Sequence, residues 1–387
     1  MFKELVKKFD DLYKDNGEEK IKVFSPSRIN IIGEHIDYNG GYVFPCAIEI
    51  GTYGVARKNK ENIIRLASGN FDLKKEFTYP LPSYDEENEW TNYPLGVITY
   101  LEDEGYEVGG VDIFLEGNIP NGAGLSSSAS IELLIGEIMN LLYNQGKIDK
   151  LDLIKIGKRC ENEYIGVNTG IMDQFIIGLG KKNHAMLLDT NSLDYNYAPF
   201  ELGNNKIVIM STNYRRELKD SKYNERRAES EKAFEILKKY KPEINYLCDL
   251  KEEDLNLLEK IEDPIIRKRA EHVVKENIRV LKAVDALKSG DIEELGRLLV
   301  QSDDSLRDLY EVTGPYLDSL TRAANSFDAC LGARMTGAGF GGCAIAIVKE
   351  NEVEKFKDYV EKIYTEETKL VPTFITSGVA DGVGQVK

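Results

Sequence analysis

The chain has 387 residues, 42% of them hydrophobic and 30% charged, with a formal net charge of −16 and a pI of about 4.9. That length and balance suit two packed domains, and the acidic excess disfavours non-specific binding to nucleic acid or an anionic membrane. No apolar stretch reaches the roughly 20 residues needed to cross a bilayer, and the charged first segment is not a signal peptide, so a cytoplasmic protein is expected.

Apolar residues at helical spacing open the chain, and Ile21 to Phe24 reads as a short strand. SPSRINIIGEHIDYNGG then joins an apolar segment to a polar turn ending in Gly40 and Gly41. Strand patterns follow over Tyr42 to Ala56, Ile63 to Ala67 and Glu76 to Tyr79, then a helix from about Pro94 to Glu104 and a strand over Val111 to Leu115. Ser126 to Tyr143 and about Leu151 to Tyr164 are helical, VNTGIMDQF begins a further segment, and His184 to Asp189 and Lys206 to Thr212 read as strands. The domain junction is placed between Pro199 and Asn205, giving domains over 1–200 and 201–387.

From Tyr214 to about Lys288 the pattern is helical, broken at Pro242 and Pro264. A helix capped by Ser289 or Asp291 follows, then a helix over Tyr316 to Ser326 and a glycine-rich turn. A strand over Cys343 to Val348, a helix over Glu352 to Tyr364 and a strand at Thr373 to Ile375 close the chain. Strands first and helices after favour an α+β class. Cys46, Cys160, Cys248, Cys330 and Cys343 are scattered, without a CxxC pair, and are expected as reduced core thiols. His35, His184 and His272 show no zinc-site spacing.

The run from Gly122 to Ser130, GAGLSSSAS, joins small residues to an apolar-periodic helix. Such a loop lets backbone approach a polyphosphate, with the open N–H groups of the first helical turn facing the anion. It lacks the Walker lysine, and a plain turn with a serine N-cap is the alternative. Glu34, His35, Asp37 and Asn39 crowd donors and acceptors into one turn, as a polyhydroxylated ligand requires, although a polar surface loop reads the same way. Asp173, a lone carboxylate in NTGIMDQF, is either a helix N-cap or a base beside a substrate hydroxyl, with Arg28 close enough to hold it ionised. Arg334 to Gly342, RMTGAGFGG, suits close packing beside another backbone or a ligand.

SRINIIGEHIDYNGG, PNGAGLSSSAS and MTGAGFGG, in that order and with GIMDQF between the last two, resemble the motifs of the GHMP small-molecule kinases, the first being similar to their galactokinase signature. The resemblance covers nearly the whole chain. It implies a two-domain α+β fold, N-terminal ribosomal protein S5 domain 2-like and C-terminal ferredoxin-like, with the active site in the cleft between the domains. The implied reaction moves the γ-phosphoryl group of ATP to the anomeric hydroxyl of galactose, with magnesium. By resemblance Asp173 is the catalytic base or charge partner and Arg28 stabilises the phosphoryl group. Glu34, His35 and Asp37 hold sugar hydroxyls, Gly170 offers backbone, and Tyr223 reaches the sugar from the second domain. Gly122, Ala123, Gly124, Leu125, Ser126, Ser127, Ser128 and Ala129 hold the nucleotide phosphates. Trp90 lies near the adenine or is a core anchor, and Ser128 with Glu161 holds the metal, an exposed helical glutamate being the alternative. The expected partners are galactose and ATP alone, in a monomer or weak homo-oligomer.

Ser27 stands where the family usually has Gly, and Ile36 where it has Thr. Related uronic-acid kinases share the HID sequence, which keeps galacturonate as a rival substrate, but Glu34 at the sugar 6-position would repel a carboxylate. A non-catalytic sugar sensor is the rival of another class, and the intact SSSAS with Asp173 and Arg28 favours catalysis.

Overall fold

A computed structural model describes residues 1–120, 124–214 and 219–387. The first half contains α1 (Phe2–Leu12), β1 (Ile21–Asn30), β2 (Tyr42–Val43), β3 (Pro45–Lys58), β4 (Ile63–Ser68), β5 (Lys75–Thr78), α2 (Asn92–Asp103), β6 (Val111–Gly117), α3 (Ser127–Tyr143), α4 (Lys150–Arg159), α5 (Met172–Leu179), β7 (His184–Asp189) and β8 (Tyr195–Pro199). The second contains β9 (Asn205–Ser211), α6 (Lys219–Lys238), α7 (Pro264–Ser289), α8 (Ile292–Ser305), α9 (Gly314–Asn325), β10 (Cys330–Thr336), β11 (Cys343–Lys349), α10 (Val353–Thr368), β12 (Thr373–Thr376) and β13 (Gly384–Gln385).

A mixed sheet in the order β13-β1-β3-β6-β4-β5 forms the first half, with β4 and β6 parallel and the other neighbours antiparallel. β2, β7 and β8 make a smaller sheet beside it, and β10-β11-β9-β12 is the antiparallel sheet of the second half. The core of the first half lies between the large sheet and α3, whose Leu133, Leu134, Ile135 and Ile138 are fully buried. α1 covers the opposite face, where Leu5 and Phe9 meet Val55, Ala67 and Phe114.

β1 runs well past Phe24, because its second half buries Ser25, Ser27 and Asn30 as well as Ile29 and so shows no alternation. A register shift between Pro26 and Ser27 accommodates the proline, which cannot donate to the ladder. Asp291, not Ser289, caps α8, accepting from Glu294 N at 2.9 Å, while Gly290 in the left-handed region ends α7. β8, β10 and β13 carry little sequence signal. β13 pairs with β1, and Val379 bridges Ile48, so the last residues return to the first sheet. The five cysteines form no disulfide, and four are buried.

α8 packs on β10 at a point with no room for a side chain: a Cβ on Gly296 would stand 2.3 Å from the Leu331 carbonyl oxygen. Gly296→Ala is therefore expected to cost about 2 kcal/mol through overpacking, read as a lower urea midpoint. An unchanged midpoint would show that this contact relaxes freely.

Candidate active site

The described parts of the three motifs converge on one guanidinium. Arg28, on β1 just past the bulge, is 4% exposed and grips Asp173 with Nε to Oδ1 and Nη2 to Oδ2, each at 2.7 Å. Its Nη1 donates to the Gly124 carbonyl at 3.1 Å, and Gly337 of the third motif stands against that same carbonyl. Burial opposes the Arg28 charge, but Asp173 outweighs it and holds the guanidinium above its ordinary range. The two side chains face differently, at 5% exposure for Arg28 and 28% for Asp173, so the carboxylate looks into the cleft with the cation behind it.

Asp173 lies in the first turn of α5, after the cap position at Ile171, so it is not an N-cap. Ser126 likewise makes no cap bond; it adopts φ 60°, ψ 49° and turns its hydroxyl onto Asp173 Oδ2. A serine in the left-handed region is uncommon, and here the strain coincides with a contact to the central carboxylate. Ser27 donates to the Leu125 carbonyl, so this serine ties β1 to the loop that leads into α3. Ile36 is fully buried, a core residue. Gly122 and Ala123 lie outside the described residues; Leu125 and Ala129 are buried, and Ser127 opens α3 on the exposed side.

The turn over Glu34 to Asn39 belongs to the first half but is held by the second. Glu34, 2% exposed, accepts from Asn30 Nδ2, Gly337 N (2.6 Å) and Thr336 Oγ1 (3.2 Å), and forms an ion pair with Arg334 at 2.7 Å. Arg334 is fully buried and also donates Nη1 to the Asn30 and Ile31 carbonyls, at 3.0 and 2.6 Å. From α7, His272 Nε2 donates to the Glu34 carbonyl at 3.2 Å, and Glu276 accepts from Gly33 N at 3.1 Å. Burial opposes the Glu276 charge, but Arg279 and its other partners hold that carboxyl down to about 2.

His35 Nδ1 meets Tyr38 Oη at 2.8 Å, Tyr38 Oη meets Tyr310 Oη at 3.0 Å, and Tyr310 Oη meets Ser230 Oγ on α6 at 2.6 Å. Burial, with His272 nearby, depresses His35 to about 3, so the ring is neutral. Tyr223 of α6 packs on this group, its ring centre 5.6 Å from His35 and 5.5 Å from Tyr38. Asp37 comes so near Gly170 that a Cβ there would stand 1.6 Å from Oδ2, which explains the glycine. Burial, then the charge of Asp173, raises the Asp37 carboxyl to about 6.

α4 runs into one π-helical turn, Cys160–Tyr164, which carries Glu161. Glu161 is buried and accepts from Ser128 Oγ (2.9 Å), Thr169 Oγ1 (2.7 Å) and Gln174 Nε2 (2.8 Å), so it is not an exposed helical glutamate. Gln174 also reaches Glu132 Oε2 at 2.9 Å. Burial and the charge of Glu161 push Glu132 well above the ordinary carboxylate range. Trp90 is 7% exposed, with Phe71 stacked 6.3 Å from it. Motif reasoning passed over Arg334, Tyr38, Tyr310, Glu132 and Gln174. A charged residue inside an otherwise apolar strand or helix, as in LGARMT and SIELLI, is the signal that marks Arg334 and Glu132.

Comparison with known proteins agrees with this geometry. A family profile described as GHMP kinases N terminal domain matches residues 92–181, one described as GHMP kinases C terminal matches 283–366, and a galactokinase galactose-binding signature matches 7–58. A galactokinase of Clostridium tetani is 51% identical over 385 residues, covering 99% of this chain and 97% of its own. One from Ligilactobacillus salivarius is 52% identical over 379 residues, covering 97% of both. The crystal structure of Lactococcus lactis galactokinase complexed with galactose superposes with a TM-score of 0.96 at 42% identity, covering 100% of both chains.

Asp37 yields a test by pH. Its folded value of about 6 lies above the ordinary 3.8, so its contribution to stability is fully present below the unfolded value and is lost as pH rises through 6. Asp37→Asn should therefore gain stability over the parent between pH 4 and 6 and hold that gain above it, in urea midpoints. A difference independent of pH would refute the buried, raised carboxyl.

Proposed function

We infer the chemistry of this site from one premise: the chain belongs to the galactokinases of the GHMP kinase family. It is an ATP-dependent sugar kinase that transfers the γ-phosphoryl group of ATP to the C1 hydroxyl of α-D-galactose, giving galactose 1-phosphate and ADP. Our assignment of roles rests above all on the Arg28–Asp173 pair beside the loop that opens α3.

Phosphoryl transfer asks for positioning and charge stabilisation more than covalent chemistry. Among the described residues, Asp173 Oδ2 accepts from Arg28 and Ser126, whereas Oδ1 accepts from Arg28 alone. Oδ1 thus keeps an acceptor site, and it receives the proton side of the galactose C1 hydroxyl, orienting the oxygen for attack. Arg28 holds the Asp173 carboxylate in place and faces the charge that develops on the transferred group. Asp37, Glu34 and the neutral His35 line the sugar, with Tyr223 closing over it, and Gly170 leaves room for Asp37.

Gly122 to Ala129 take the nucleotide phosphates, aided by the positive end of α3. Trp90, with Phe71, forms the adenine wall. Ser128 and Glu161 offer hard oxygen donors 2.9 Å apart at that helix end, which fits magnesium. When bound, the metal supplies charge neutralisation for the phosphate oxygens of ATP. We take the enzyme as cytoplasmic and as a monomer or weak homo-oligomer, and we divide it near residue 200, between β8 and β9, with the last strand returned to the first domain.

Arg334 modifies the substrate argument made from sequence. Its guanidinium balances Glu34, so the 6-position presents a compensated pair, and a uronate is excluded less by repulsion than a lone carboxylate would imply. Galactose remains the substrate because Glu34, not Arg334, is on the sugar-lining turn.

Asp173→Ala should lower kcat by about a thousandfold or more while galactose binding by equilibrium dialysis stays measurable. Near-normal turnover would sink the assignment. In an ADP-release panel with product analysis, galactose should outrun galacturonate by about tenfold or more, and a preference for the acid would reverse the substrate reading.

A further inference from the structure

A cavity of about 420 Å³ lies beside the end of α1, bounded by β3, β4, β5 and β6. Side chains alternate along a strand, so Arg57 shares a face with Val55, which packs beneath α1. Leu134 and Ile138 of α3 pack over Gly54, on the other face. The cavity therefore opens on the side of the sheet away from the helix that receives the nucleotide phosphates.

Its charges do not cancel. Arg57, 1% exposed, donates Nε to Asp112 Oδ2 at 3.2 Å and Nη2 to the Lys14 carbonyl. Its buried Nη1 has no hydrogen-bond acceptor, the nearest carboxylate being exposed Asp15 at 3.6 Å. Arg65 reaches Glu76 and the shared Asp112 at 3.2 Å and Glu61 at 2.5 Å. Among the described residues no carboxylate stands within ion-pair distance of Lys14, Lys74 or Lys75, which also line the space. Five lining cations thus face three lining anions, with exposed Asp15 beside Arg57 as a fourth, so the cavity stays net positive, the reverse of the sign of the whole chain. Leu12 and Ala67 add apolar wall.

We propose that this cavity is a second ligand site, taking a small organic phosphate. The positive lining, with three lysines that have no carboxylate within ion-pair distance among the described residues, attracts a phosphomonoester, which carries roughly −1.5 to −2 at neutral pH. The volume suits a compact metabolite, and the apolar wall takes its carbon skeleton. The site is joined to the reaction centre through the sheet: β3 carries Arg57 at one end and pairs with β1 at Ala47 and Arg28 near the other. The occupant is a phosphomonoester such as the reaction product or a nucleoside monophosphate.

Titration calorimetry on the whole protein tests this, with the cleft held by galactose and a non-hydrolysable ATP analogue. Galactose 1-phosphate, adenosine monophosphate and sulfate are the probes. One equivalent of an organic phosphate should bind saturably, and the tighter of the two names the source. The double variant Lys74→Glu with Lys75→Glu should weaken it by about tenfold or more while keeping kcat and the galactose KM. No saturable uptake by the parent below about 10 mM, or equal uptake by the variant, would overturn the proposal. Sulfate binding as tightly as either phosphate ester would reduce the site to an adventitious ion only and overturn it too.

Discussion

One guanidinium–carboxylate pair fixes the geometry on which the rest of the site depends. Arg28 and Asp173 are 145 positions apart in sequence, yet two parallel hydrogen bonds of 2.7 Å lock β1 to α5. The bidentate fork sets angle as well as distance. Its cost is the burial of a cation, and removing either partner would leave an uncompensated charge in a water-poor place. Because Asp173 is the more exposed of the two, the pair presents an anionic acceptor to the cleft while its counter-charge stays behind it. Nη1 of the same guanidinium then fixes Gly124, so the loop that leads into α3 is positioned by the residue that orients the carboxylate.

A second layer of polar contacts holds the turn around Glu34 from the other half of the molecule. Arg334, Thr336, Gly337, His272 and Glu276 all bond to the segment around Gly33 and Glu34. The chain after Asn30 has no ladder partner of its own through much of this turn, and buried backbone groups must be paired somewhere. The second half supplies that pairing, which fixes the conformation of the turn. It also sets the Arg334 guanidinium against the Glu34 carboxylate, so the turn carries a compensated pair and not a lone charge.

Much of the site was legible because each motif solves a local problem with local residues. A loop that approaches phosphate needs small residues before a helix, and Asp37 needs Gly170 beside it. The pattern failed where burial has two sides or where polar groups are satisfied across the fold. β1 reads as four residues because Ser25, Ser27, Arg28 and Asn30 break the alternation, although all four are buried and the side chains of Ser27, Arg28 and Asn30 are paired. β10, with Gly332 and Arg334 inside it, carries too little apolar periodicity to be seen. Glu132 stands out as one carboxyl in a strongly apolar helix, but its partner Gln174, 42 positions on, does not.

The sequence by itself determined the class of chemistry: ordered motifs of small, hydroxyl and acidic residues for phosphate and sugar, and helices and strands wherever hydrophobic spacing was regular. Only the tertiary structure decided which side chains share a charge. Ser126 turned to Asp173 in place of capping its helix, Ser27 became the tie to Leu125, and Glu34 was matched with Arg334, 300 positions away. The reason is physical. Backbone conformation answers to neighbours within a few residues, whereas the pairing of a buried charge answers to whatever the folded chain brings within about 3 Å of it.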